Sequence, residues 1–235
     1  MKFPDFVHAV YIKRGNRFTA DVRLEGGGAR SAFIPTTGRL TGVLTPGCRV
    51  WLEPVDNPRR KTPFNLVLAE LPGGGLCSIN AMLANSLFNE AVKHNRLEDF
   101  LYTAIKNEVP YGRSRLDFRL LKGGEDVCWV EIKSVTYARE GVGMFPDAPT
   151  SRGRKHLGEL AKLAACGKRA SVVFIAQRED VSRFAPYETI DPAFAVTLRQ
   201  AHNEGVEVHA YRCKVSLEEI KIAEKIPTNL LPAAN

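Results

Sequence analysis

No stretch of this chain approaches the roughly 18 consecutive apolar residues that a membrane-crossing helix needs, and its opening Met-Lys-Phe-Pro-Asp-Phe leads into no secretory apolar segment. The expectation is a cytoplasmic protein with no membrane partner. Cysteine is sparse. The five residues Cys48, Cys77, Cys128, Cys166 and Cys213 are odd in number, widely spaced and contain no C-x-x-C pair, so the spacing suggests neither a disulfide framework nor a zinc site and they read as small core residues. The chain also lacks a C₂H₂ pattern, RNP aromatics and a helix-turn-helix, so no known signature of sequence-specific duplex reading is present. Internal repeats and low-complexity tracts are absent too, apart from the glycine triplets at 26–28 and 73–75.

What remains is an ordinary globular composition over 235 residues, 44% hydrophobic and 25% charged, enough for one large domain or two small ones. Basic residues outnumber acidic ones 33 to 26, and the excess is uneven. Up to residue 85 there are 11 basic against 6 acidic residues, a local charge of +5, whereas the remainder has 22 against 20. A basic module precedes a nearly neutral one, which suits either a phosphate-contacting surface or a solvated face kept for solubility.

From residue 1 to about 80, short alternating runs (FTADVRL, ARSAFIP, CRVWLEP, FNLVLAEL) are divided by Gly and Pro at intervals of about 8 to 15 residues, the pattern of a small all-β barrel of OB-like type. Near Asn80, a plausible N-cap, the period changes to that of a helix in NAMLANSLFNEAVKHN, which sets a domain boundary between 1–80 and 81–235. Beyond it the order is a β run ending near Val109, a hairpin from Leu116 to Lys133, a long loop VTYAREGVGMFPDAPT, a helix from about Ser151 to Cys166, a strand RASVVFIAQ, a helix from about Pro192 to Asn203 and a strand VEVHAYRC. The fold class is therefore α+β with two domains, an N-terminal all-β barrel and a C-terminal mixed α/β sheet with helices on its faces.

Three charges interrupt the apolar hairpin RSRLDFRLLKGGEDVCWVEIKS: Asp117, Glu131 and Lys133. Side chains two apart on a strand share a face about 6.6 Å apart, so Glu131 and Lys133 point the same way, and the turn can bring Asp117 beside Glu131. Two neighbouring carboxylates repel. A hard cation such as Mg²⁺ or Mn²⁺ resolves that conflict, and a lysine next to it can hold an attacking water or steady charge on a phosphoryl oxygen. The E-x-K triplet alone arises by chance about once in a few hundred residues, and a second copy stands at Glu219 and Lys221 without an upstream strand acid. The plain alternative for the first copy is a surface Glu131–Lys133 pair, with Asp117 paired to Arg115 or Arg119.

Ordered segments along nearly the whole chain make the sequence similar to the sugar fermentation stimulation protein (SfsA) family. They are RFTADV, TGRLTGVLTPG, NPRRK, INAMLAN, RSRLDF, VEIKSVT, FPDAPTSRGRKHLGEL and RFAPYETIDPAFAVTLRQAHNEGVEVHAY. In PTTGRL this chain has Thr36 where the family would have Asn before the Thr-Gly. The resemblance implies an N-terminal OB-fold and a C-terminal domain of restriction-endonuclease-like, PD-(D/E)xK type, with DNA as the partner, single- or double-stranded. By position, Asp117, Glu131 and Lys133 match the catalytic D and E-x-K elements, and Asp117, Glu131 and Glu90 become the metal set; a solvated helix residue is the plain reading of Glu90.

The helix TSRGRKHLGELAKLAA buries Leu157, Leu160, Ala161 and Ala164 and turns Arg152, Lys155, Glu159 and Lys162 outward, so that Arg152, Lys155 and His156 lie over the cleft or, more plainly, Lys155 and Glu159 form an i,i+4 pair. Asp147 is a turn former between two prolines or a third acid. In the barrel, Lys13, Arg14 and Arg17 with Phe18 form one candidate phosphate-binding patch, and Arg59, Arg60 and Lys61 with Phe64 another; both phenylalanines are open to a core or a base-stacking role. The reading is a DNA-binding protein with a metal-dependent, nuclease-like site. The alternative is a non-catalytic DNA-binding regulator of sugar-utilisation genes that keeps the nuclease fold. An enzyme acting on sugar fits less well, because a lysine on the carboxylate's own strand face suits phosphate chemistry better than glycoside hydrolysis.

Overall fold

The computed structural model describes residues 1–231, the side chain of Asp126 aside. Alternating strands β1 (Val7–Asn16), β2 (Thr19–Leu24), β3 (Ala29–Phe33), β4 (Arg49–Pro54) and β5 (Phe64–Glu70) run in the order β3-β2-β1-β4-β5, and a β3–β5 pairing at Ala32–Phe64 and Phe33–Asn65 closes them into a barrel. Closure removes the exposed edges that a small open sheet would carry. A short β6 (Leu76–Ser78) turns back to pair antiparallel with β5 and leads out of the barrel.

Asn80 does not cap the helix that follows. Its Oδ1 accepts from the Met82 amide at 3.1 Å in a turn, and α1 (Leu83–Lys93) starts two residues later behind Met82. The second domain is a six-stranded mixed sheet of β7 (Ala104–Tyr111), β8 (Ser114–Lys122), β9 (Glu125–Val135), β12 (Ala170–Ala176), β14 (Glu207–Val215) and β15 (Ile220–Ile226), in the order β15-β14-β12-β9-β8-β7. All seven residues of the central strand β12, ASVVFIA, are buried, as expected of a parallel strand covered on both faces. Helices α2 (Ser151–Ala165) and α3 (Pro192–Asn203) share a core with Trp129, Val172 and Phe174, while α1 and the barrel residues Trp51, Val67 and Leu68 share another with Val130, Ile132 and Val173.

Three features depart from the sequence expectation. The segment read as a long loop carries a hairpin, β10 (Tyr137–Arg139) and β11 (Val142–Phe145), which joins β13 (Arg183–Pro186) in a small sheet of its own. Strand β15 lies beyond the last strand expected and holds Lys221 of the second E-x-K copy, which pairs with Glu219 at 2.6 Å on the surface. The first residues of the chain belong with the second domain's sheet: Lys2 bridges Glu219, and the Phe3 amide donates to the Glu218 carbonyl at 2.8 Å.

Candidate metal and phosphate site

The ladder between β8 and β9 ends at Phe118–Val130. Past that pair no further β8–β9 pairing holds the strands together, and the residues there, Asp117, Glu131 and Lys133, line one cavity of about 770 Å³ with Asn85, Asn89, Asn107, Glu108 and Arg152. The Ile132 amide, beyond the end of the ladder, donates instead to Asp117 Oδ2 at 2.8 Å, and Asn85 of α1 donates to Asp117 Oδ1 at 2.9 Å. The Asp117 side chain takes over as acceptor where backbone pairing has stopped.

Glu131 is 3% exposed. Its Oε1 accepts from Lys133 Nζ at 2.6 Å and from His156 Nδ1 of α2 in a still closer contact, whereas its buried Oε2 has no hydrogen-bond partner. His156 Nε2 lies 3.4 Å from Arg152 Nε. An Arg N–H can only donate, so Nε2 accepts and Nδ1 carries the proton toward Glu131. The alternative of a surface Glu131–Lys133 pair is not what forms: the two are paired but buried, with side chains 4% and 12% exposed. Arg115 pairs with Glu108, and Arg119 stacks over Trp129.

Electrostatics separate the two carboxylates. Burial first, then the charge of Glu131, pushes the Asp117 carboxyl above the ordinary carboxylate range. Burial also pushes Glu131 upward, but the Lys133 charge and the His156 hydrogen bond pull harder and hold it below that range. Paired acids driven apart in this way are an arrangement that acid–base and metal sites use. The donor set suits a hard divalent cation: two carboxylates, one with an orphaned buried oxygen. Among the described residues no group of three His, Cys, Asp or Glu is arranged to hold the ion, since His156 is turned to Glu131 as a hydrogen-bond donor. Mg²⁺ tolerates so small a protein share because it keeps several of its waters.

The other expected site residues divide. Glu90 lies five positions from Asn85, about 140° around the helix. It pairs with the Met1 ammonium at 3.1 Å and with Arg96 at 4.0 Å, so the site contact from α1 is Asn85. Asn85, Ser86 and Asn89, a polar stripe at i, i+1 and i+4 beside the buried Leu87 and Phe88, held that signal in the sequence. Arg152 is exposed on the cleft rim, but Lys155 is turned aside to donate to the Arg113 carbonyl and His156 is buried against Glu131 rather than offered to phosphate. Glu159 is buried too. It packs against Gly112 and takes Lys162 at 3.3 Å in place of the expected Lys155.

Asp147 is no third acid. Its Oδ2 accepts from the Leu40 amide of the barrel at 3.1 Å, and Gly38 lies so close that a Cβ there would sit 2.4 Å from Oδ2. Gly38→Ala is expected to cost about 1–3 kcal/mol of stability through this overlap, and Asp147→Ala in the same chain should recover part of it; urea denaturation of the two single variants and the double variant gives the coupling.

In the barrel Arg14 is spent on scaffolding, donating to the carbonyls of Gly38 (2.7 Å), Arg39 (2.8 Å) and Arg17 (2.7 Å). Lys13, Arg17, Arg59 and Lys61 are exposed, Arg60 is half-buried, and Phe64 packs on the barrel core. Phe18 is 45% exposed and outside that core.

Comparison with known proteins agrees with this architecture. Residues 12–79 match the SfsA N-terminal OB domain, and residues 82–219 match the sugar fermentation stimulation protein RE domain. The structure of Pyrococcus furiosus SfsA in complex with Ca²⁺ superposes with a TM-score of 0.86 at 30% identity, over 97% of this chain and 98% of that one. With both domains matched in order and the fold shared across almost their full lengths, this chain belongs to the sugar fermentation stimulation protein family.

Proposed function

We propose that this protein binds DNA and hydrolyses its phosphodiester bonds in the cleft where β8 and β9 part, with a divalent cation as cofactor. The observation that carries this reading is the orphaned Glu131 Oε2 in a cavity with Asp117 and Lys133. Asp117 and Glu131 would hold Mg²⁺ or Mn²⁺, which when bound supplies Lewis-acid polarisation of a phosphoryl oxygen. Ca²⁺ in the Pyrococcus furiosus protein, an oxygen-seeking cation of the same charge, supports a divalent site here. Lys133 supplies a positioned ammonium for the attacking water or the charge that develops on phosphate. His156 fixes the Glu131 carboxylate through Nδ1–H, and its other nitrogen orients Arg152, whose guanidinium on the rim is placed for the scissile phosphate or its neighbour. The net charge of +7 supports a polyanionic partner.

The test is cleavage of end-labelled single- and double-stranded DNA in low salt with Mg²⁺, Mn²⁺ or EDTA. Metal-dependent products that vanish in EDTA support hydrolysis. A protein that retains DNA in every condition and never cuts it is the non-catalytic regulator, a reading favoured by one observation: Glu131 Oε1 already has two partners, Lys133 and His156.

A further inference from the structure

The two basic patches that sequence places apart, around Arg17 and around Arg60, meet on the barrel surface through an aromatic neither included. Phe18 sits at the tip of the β1–β2 hairpin, and its ring lies nearly parallel to that of Phe33 on β3, at 18° with centroids 6.5 Å apart. The Arg17 guanidinium lies 5.6 Å from the Phe18 centroid, and that of Arg60 lies 5.4 Å from the Phe33 centroid. We propose that this Arg17–Phe18–Phe33–Arg60 array is a stacking platform for unpaired bases, which delivers single-stranded DNA to the cleft; the delivery rests on the hydrolytic reading above, the binding does not.

Four observations converge on that occupant. Phe18 keeps 45% of its surface exposed, although burying an aromatic ring is favourable, so a hydrophobic ring is left open at a hairpin tip. A guanidinium lies over each ring, so that a phosphate can be met by an arginine while a base stacks on the aromatic surface left open or on the guanidinium plane, the combination that retains single strands without reading sequence. The array is held in advance: Arg14 ties the Arg17 carbonyl to those of Gly38 and Arg39, Asn16 Oδ1 takes the Phe18 amide at 2.8 Å, and Asn65 takes Arg60 at 3.0 Å and itself donates to Glu53, the one acid in that chain of bonds. Arg17 also connects the array to the chemistry, because it lines a cavity of about 520 Å³ whose lining also includes Lys133, Ser134 and Arg152. A duplex conceals its base faces and cannot use such a platform except at its ends.

The experiment measures fluorescence anisotropy of the full chain in EDTA, so that binding is read whether or not the cleft hydrolyses anything. Three labelled probes of equal length are compared: oligothymidylate, the same backbone with abasic residues, and a blunt duplex. Phe18→Ala is expected to weaken oligothymidylate binding about 5- to 150-fold and to leave the abasic and duplex probes unchanged, with Phe18→Trp restoring affinity. Arg17→Ala should weaken all three and lower the salt slope by about one. Thermal melts confirm that Phe18→Ala remains folded. Unchanged oligothymidylate binding in Phe18→Ala, equal loss on the abasic probe, or no binding of any probe by the wild type overturns the proposal. A wild type that never cleaves but shows the Phe18 pattern removes the hydrolytic reading and leaves the platform standing.

Discussion

Replacing Lys133 by Ala is expected to lower metal-dependent cleavage about 10²- to 10³-fold, the loss that follows removal of one positioned charge donor, while Ca²⁺ or Mg²⁺ still raises the melting temperature. Asp117→Asn should lose both, since it removes a ligand, whose loss exceeds the roughly 10- to 100-fold effect of an outer partner. The two acids also separate without any metal. Burial and the charge of Glu131 raise the Asp117 carboxyl, so the folded chain favours its protonated form. The stability it contributes is complete below the unfolded carboxylate range near 3.9 and is lost as pH rises through the higher folded value. At pH 7 its charge is a liability, which offsets part of what Asp117→Asn loses by turning an amide N–H₂ toward the Ile132 amide or Asn85, so that variant is expected to melt closer to wild type in EDTA than Glu131→Gln does.

Glu131 carries the opposite sign. Its carboxyl is held low by Lys133 and His156 against the effect of burial, so its stabilisation is present above the unfolded range near 4.3 and fades as pH falls through the folded value. Glu131→Gln should therefore melt lower than wild type at pH 7, because it leaves Lys133 and His156 facing an uncharged amide. Differential scanning calorimetry in EDTA at pH 7 distinguishes the cases. Equal shifts in the same direction for the two variants would show that the carboxylates do not share one electrostatic site, and would remove the physical basis of the metal proposal.

Asp191→Ala should give the largest loss of stability, about 3 kcal/mol or more from a lost cap and orphaned donors, a fall in melting temperature of about 6–12 °C. Asp191 is 4% exposed and ties two helices together. Its Oδ1 caps α3 through the Phe194 amide at 2.9 Å, its Oδ2 takes the Thr150 amide at the start of α2 at 2.8 Å, and Arg154 donates to both oxygens. Because α2 carries His156 and Arg152, a chain that survives this substitution should also cleave more slowly, whereas Asp191→Asn, which keeps one oxygen acceptor, should lie between the two. A melting temperature within 2 °C of wild type would show that the helix pair is held by its apolar core alone.

Much of this was legible in residue order. Alternation with Gly and Pro punctuation is a local property, and it sufficed for the barrel; helical period sufficed for α1, α2 and α3, because each buries one stripe. The Glu131–Lys133 pairing on one strand face followed from a period of two. The β10–β11 hairpin was hidden because Gly141, Gly143 and the Pro146–Pro149 stretch read as turn composition, and its strands of three and four residues are too short to show a period.

Sequence by itself therefore determined the two domains, their order and the shared face of Glu131 and Lys133, since all of these depend on spacing within a strand or on local propensity. The fold decided the rest. The parting of β8 from β9 opened a cavity around those residues, and α1 supplied Asn85 in place of Glu90 because rotation about the helix selects the face. Packing of α2 on the sheet buried His156 against Glu131, and closure of the barrel set Phe33 and Arg60 beside Phe18. Each of these contacts joins residues at least 15 positions apart, a separation at which no periodicity carries information and only packing selects the partner.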